Sequence, residues 1–197
     1  MQSVWLIVLV LVALQFGFLI GFWQRRQRRR LTPILQLMDP DSGRLNLPLV
    51  GTPRLEGTLH RRQLRIDALE RRGRPQLRIG LSSTASIFFT IQPRGAAKAR
   101  GRIRRLPIVL QDPVLDEKFR FNCNSPERLR ATFRRPQARD CLLALLLVPG
   151  LAQADSENGW LEANLLSNPQ KDGWDLPRLR KLLERLHRLA LALEGRG

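Results

Sequence analysis

Two cysteines, two histidines and no tyrosine leave this 197-residue chain short of the side chains that most enzymes use. With only Cys123 and Cys141 it can build neither a disulfide-dense scaffold nor a four-thiolate metal cluster. No phosphate-binding loop and no dinucleotide fingerprint occurs. His60 and His187 each lack a second ligand at metal spacing and a neighbouring nucleophile, so each reads as a surface or core-edge histidine. The acids are scattered, and their nearest grouping, Asp112, Asp116 and Glu117, reads as a solvated loop that supplies counter-charge rather than a cation site. The expectation is a non-enzymatic chain without metal or cofactor.

What the chain has in excess is positive charge. Lys and Arg number 34 against 17 Asp and Glu, a net charge of +17, and only Lys98, Lys118, Lys171 and Lys181 are lysines. The length suits one modest domain. A surplus of this size favours an anionic partner.

The other conspicuous feature is an apolar run from Ser3 to Trp23, interrupted only by Ser3, Gln15 and two glycines. As a helix, at ~1.5 Å per residue, it matches a hydrocarbon core of ~30 Å. A cleaved signal peptide would need a basic start and a small-x-small site, and neither is present. The reading is a transmembrane helix over 3–23, with Trp5 and Trp23 as interfacial anchors and Arg25, Arg26, Arg28, Arg29 and Arg30 holding the following segment inside. This implies a single-pass protein of the bacterial inner membrane, N-terminus out and domain cytoplasmic. Gly17 and Gly21 form a Gly-x-x-x-Gly pair through which a second helix, and so a homodimer, could approach.

Residues 24–43 read as a basic juxtamembrane segment and linker, closed by the turn signal Asp39-Pro40-Asp41-Ser42-Gly43. Residues 44–194 read as the domain. Apolar residues alternate at Leu45/Leu47/Leu49, Leu64/Ile66/Ala68, Leu77/Ile79/Leu81 and Ile87/Phe89/Ile91, which predicts a meander of antiparallel strands. Further strand signals lie at 106–110, 119–121 and 160–166. Ser125-Pro126-Glu127 and Pro136 open two helices, Ser125 as the expected cap. Leu176 to Leu193 repeats leucines at three- and four-residue intervals after Asp175, a helix with one apolar face to lay on the sheet. The fold class is α+β, strands first and helices in the C-terminal half.

The stretch from Phe119 through Phe-Asn-Cys-Asn-Ser-Pro-Glu-Arg-Leu-Arg, the leucine-rich helix after it and the closing Leu-Ala-Leu-Ala-Leu-Glu resemble the C-terminal half of uncharacterised bacterial membrane-anchored proteins. The resemblance covers 119–194. It implies a fold and a membrane tether, and brings no activity and no catalytic motif.

Arg94 to Arg105 carries six bases and no acid. Arg94, Lys98, Arg100, Arg102, Arg104 and Arg105 are the candidate anion-binding residues, on a loop that includes Gly95 and Gly101. No aromatic side chain is interleaved with them, which favours anionic lipid over nucleic acid. The functional expectation is a membrane-anchored scaffold or assembly protein that binds a protein partner or anionic lipid. A membrane-tethered nucleic-acid binder using the basic loop is the alternative.

Overall fold

A computed structural model describes residues 2–49, 51–71, 74–95, 106–166 and 174–195, with the side chains of 2–8, 10, 13, 71, 74 and 106 outside the description. Helix α1 (Gln2–Leu31) is followed by a 3₁₀ segment, Thr32–Leu37. Strands β1 (Arg44–Asn46), β2 (Arg54–Leu59), β3 (Arg62–Arg71), β4 (Arg74–Ser82), β5 (Phe89–Pro93) and β6 (Leu106–Ile108) come next. Then follow α2 (Pro113–Lys118), β7 (Phe119–Cys123), α3 (Pro126–Arg134), α4 (Pro136–Leu146), β8 (Leu151–Glu157), β9 (Trp160–Leu166) and α5 (Leu176–Leu193).

The strands form one antiparallel sheet in the order β1-β2-β3-β4-β9-β8-β5-β7-β6. The α+β class and the antiparallel sheet agree with the sequence. The meander ends at β4, however, because the β8–β9 hairpin inserts between β4 and β5. Period-two alternation places Leu64, Ile66, Leu77, Ile79, Leu81, Leu161 and Ala163 on one face, all buried. Helix α5 lies on this face beside α4, burying Leu179, Leu182, Leu183, Leu186 and Leu189. Asp175 caps its N-terminus by accepting from the Arg178 N–H at 3.2 Å. Ser125, by contrast, makes no side-chain cap on α3. Leu31, Ile34, Leu37 and Met38 also enter the core, so the 3₁₀ segment packs as part of the folded body.

The N-terminal helix forms, but it corrects the membrane reading. Helix α1 runs without a break through Arg25, Arg26, Arg28, Arg29 and Arg30 to Leu31. Among the described residues, no helix is long and apolar enough to cross a membrane. The continuous stretch of described side chains, 14–31, contains all five arginines, each of which costs several kcal/mol at mid-bilayer. The transmembrane helix over 3–23, the single-pass topology and the inner-membrane location inferred from it are therefore not supported.

The sheet's second face is polar and its acids are paired internally. Arg54 Nε donates to Asp67 at 2.6 Å, and Arg65 Nη2 donates to Glu162 at 2.8 Å while its guanidinium lies 4.8 Å from the centre of a Trp160 ring. Gln92 donates to Gln153 at 2.7 Å, and Gln153 to Asp155 at 2.6 Å. The acidic grouping around α2 is structural too. Asp112 accepts from the Val114 and Leu115 N–H groups and pairs with Arg139, and Asp116 accepts from the Leu110 and Asp112 N–H groups. Arg139 holds the Asp112 carboxyl below its usual range.

Candidate functional site

His60 and His187 lie 127 positions apart in the chain, yet the fold brings their rings to 4.6 Å between centroids. His60 and Arg61 form the two-residue turn between β2 and β3, with φ of 50° and 66°. Both are left-handed positions that L residues with side chains adopt only at a cost, and a hairpin of this kind favours Asn-Gly. Asp39 clamps the turn: its carboxylate accepts from the His60 N–H at 3.0 Å, the Arg61 N–H at 3.2 Å and the Thr58 hydroxyl at 2.9 Å. The Arg61 N–H contributes most to holding the Asp39 carboxyl below its ordinary range.

Opposite the turn, the last two turns of α5 contribute His187 and Leu191, and Glu194 caps the helix. Glu194 sits in a closed cradle. Its oxygens accept from Arg62 Nη1 and Nη2 at 2.8 and 2.6 Å, from the Ser83 hydroxyl at 3.1 Å and from the Thr84 N–H at 2.8 Å. The Arg62 guanidinium is the main cause that pulls the Glu194 carboxyl down to about 2. Between turn, helix end and the 82–84 segment lies a cavity of about 420 Å³.

Within this cavity the acid is already neutralised, and the remaining ionisable lining is basic. Arg61 is exposed and makes no side-chain ion pair among the described residues. His187 is half-buried; its Nδ1 is buried without a hydrogen-bond partner. Burial pushes the His187 imidazolium below its ordinary value, His60 and Arg62 add to that, and Glu194 opposes it. With Glu194 committed to Arg62, no group of three or more His, Cys, Asp or Glu able to hold a metal ion occurs among the described residues. A second cavity, of about 320 Å³, lies between the end of α1 and the β3–β4 hairpin, lined by Trp23, Gln27, Arg30, Glu70 and Trp174.

The residues expected from sequence disperse. Arg94 is anchored, its Nε donating to the Asp116 carbonyl at 2.7 Å. Lys98, Arg100, Arg102, Arg104 and Arg105 lie outside the described residues. Trp5 lies in α1 with its side chain outside the description, whereas Trp23 is half-buried against the second cavity. Arg25, Arg26, Arg28 and Arg29 are exposed, and Arg30 is half-buried. Gly17 and Gly21 have open space around them. Cys123 and Cys141 form no disulfide, and burial raises the Cys141 thiol above its ordinary value.

The most conspicuous exposed surface is α1 itself. Leu9, Leu11, Val12, Leu14, Phe16, Phe18, Leu19 and Phe22 all face solvent, Phe18 at 76%. At 3.6 residues per turn, positions 11, 12, 14, 16, 18 and 19 cover an arc of about 200°, broader than one stripe, and Gly17 and Gly21 lie on the remaining face. Patches of this size on a folded chain mark interaction sites.

The chain matches no protein-family model and no curated protein. It is similar to a solved structure described as the crystal structure of the mycobacterial trehalose monomycolate transport factor A, TtfA, with a TM-score of 0.57 and 10% identity over 84% of this chain and 93% of that one. At that identity the likeness shows the fold alone.

Proposed function

We propose that this chain is a non-enzymatic assembly protein whose N-terminal helix docks into an apolar groove on an acidic partner protein. The observation that carries this reading is the apolar surface of α1 between Leu9 and Phe22, followed at once by the exposed Arg25, Arg26, Arg28 and Arg29. An amphiphilic element of this kind suits helix-in-groove recognition, in which apolar anchors supply affinity and charges at one end fix orientation. The arginines choose the partner: a groove with acidic groups at its mouth complements them, whereas a parallel second copy would bring ten arginines together. The internal pairing of Asp67, Glu162, Asp112 and Glu194 supports the same choice, because it leaves the surplus of arginine outward-facing.

The test is a photo-reactive residue placed at Phe18 of the full chain in its native cells. The expected product is a discrete adduct with a different protein, weakened when Arg25, Arg26, Arg28 and Arg29 are changed to Gln. An adduct at twice the chain's 22.6 kDa, an adduct with lipid, or an adduct indifferent to the arginines would overturn it.

A further inference from the structure

We infer that the cavity between His60 and His187 is a binding site for a tetrahedral dianion, the phosphate group of a small ester, held by Arg61 and the two imidazoles. The site is independent of the N-terminal helix.

Four observations converge on it. The cavity, about 420 Å³, lies within the range of small-molecule sites and is too large for a lone ion, leaving room for the body of an ester against Leu191. Glu194, the carboxylate among its lining residues, is already paired with Arg62. Its rim offers a guanidinium without an ion pair among the described residues and the hydroxyls of Ser82 and Thr84. Finally, the two residues that bring cation and imidazole to the rim are those held in the left-handed conformation. Backbone strain of this sort, maintained by the Asp39 clamp where Asn-Gly would relieve it, points to a role for the side chains.

The imidazole pair sets the condition for binding. With its ring 4.6 Å from that of His60, His187 is partly buried and resists protonation, and a dianion lying against it removes that resistance. The charged groups that act on His187 are His60 and Arg62 from the hairpin and Glu194 from its own helix. Asp39 accepts from the backbone N–H groups of the turn, and the charge of His60 helps to lower its carboxyl. The 82–84 segment brings only hydroxyls and backbone. Binding therefore takes up a proton and strengthens as pH falls. At neutral pH an imidazole whose Nδ1 is buried and unpaired keeps its proton on Nε2, where it can donate to an anion in the cavity.

Sulfate is the suitable first probe, because it remains a dianion across the range in which histidine titrates. The ring signals of His60 and His187, assigned with H60Q and H187Q, are followed in the full chain as sulfate is added at constant ionic strength. Both signals are expected to shift saturably, about tenfold more tightly near pH 5.5 than near pH 8. R61Q should weaken binding about tenfold while leaving the melting temperature unchanged, since Arg61 is exposed. Glycerol 3-phosphate should bind more tightly than sulfate. Shifts that chloride reproduces, or saturation indifferent to Arg61, would overturn the site. Glycerol 3-phosphate binding no tighter than sulfate would overturn its assignment to an ester. Zinc displacing both signals where sulfate does not would overturn the anion in favour of a metal.

Discussion

Arg62 and Glu194, 132 positions apart in the chain, form a two-pronged ion pair that fastens the end of α5 to the start of β3. Their side chains are 13% and 2% exposed. A pair this enclosed is most consequential when one half is removed, because the other charge is then stranded away from water. Glu194→Gln is expected to lower the unfolding free energy by about 3 kcal/mol, read by urea denaturation at neutral pH. Changing the exposed Glu184 on the same helix to Gln should cost less than about 0.5 kcal/mol.

The same carboxylate sets the acid limit of the fold. Its folded value, about 2, lies below the ordinary 4.5, so its stabilisation is complete above pH 4.5 and drains away as pH falls toward 2. The loss amounts to something on the order of 3 kcal/mol. Asp39 and Asp112, both lowered, act in the same direction. His187, lowered from 6.5, adds an earlier loss, because below that value the unfolded chain takes up a proton that the folded one resists. Denaturation midpoints between neutral pH and about pH 3 should fall in the parent and fall less steeply in Glu194→Gln.

The β2–β3 turn offers a gain in stability at the expense of the cavity. Replacing His60 with Asn and Arg61 with Gly relieves two left-handed residues and is expected to raise stability by about 1 kcal/mol or more. Sulfate binding should disappear in the same variant. A variant both less stable than the parent and still able to bind sulfate would contradict the link between strain and site.

In α5, Leu183 and Leu186 are almost fully enclosed. Leu183→Asp places a charge among leucines on the sheet and should cost several kcal/mol, enough to unfold the body as judged by loss of the cooperative melt. Unchanged melting would mean that this face of α5 does not pack on the sheet in solution.

Helix α5 was readable because its leucines keep a 3.6-residue period over five turns and Asp175 marks its start. Strand β8, Leu-Ala-Gln-Ala-Asp-Ser-Glu, escaped notice because it has no β-branched or aromatic residue, and tertiary pairing with β5 and β9 decides its conformation. In β2, Gly57 and the alternation of charge weakened the signal. The six-residue α2 is too short for a period to show. The histidine site was invisible for two reasons: its halves come from the first hairpin and the last helix, and its turn is His-Arg rather than Asn-Gly. The one available clue was the two-residue gap between the alternating runs that end at Leu59 and begin at Arg62. The apolar run 3–23 has the length of a span, but α1 continues it without a break through five arginines to Leu31, and no helix among the described residues is long and apolar enough to cross a membrane.

If α1 is covered by another protein, the mass of the native particle shows it. The full chain, recovered from its own cells at low salt, should weigh as one 22.6 kDa copy plus one different protein. The two should separate as salt rises, since the arginine contacts are screened over ~10 Å at 0.1 M. A Phe16→Ser, Phe18→Ser variant should be recovered alone. Native mass spectrometry that finds the parent chain by itself, or as two copies of itself, would mean that no other protein covers α1.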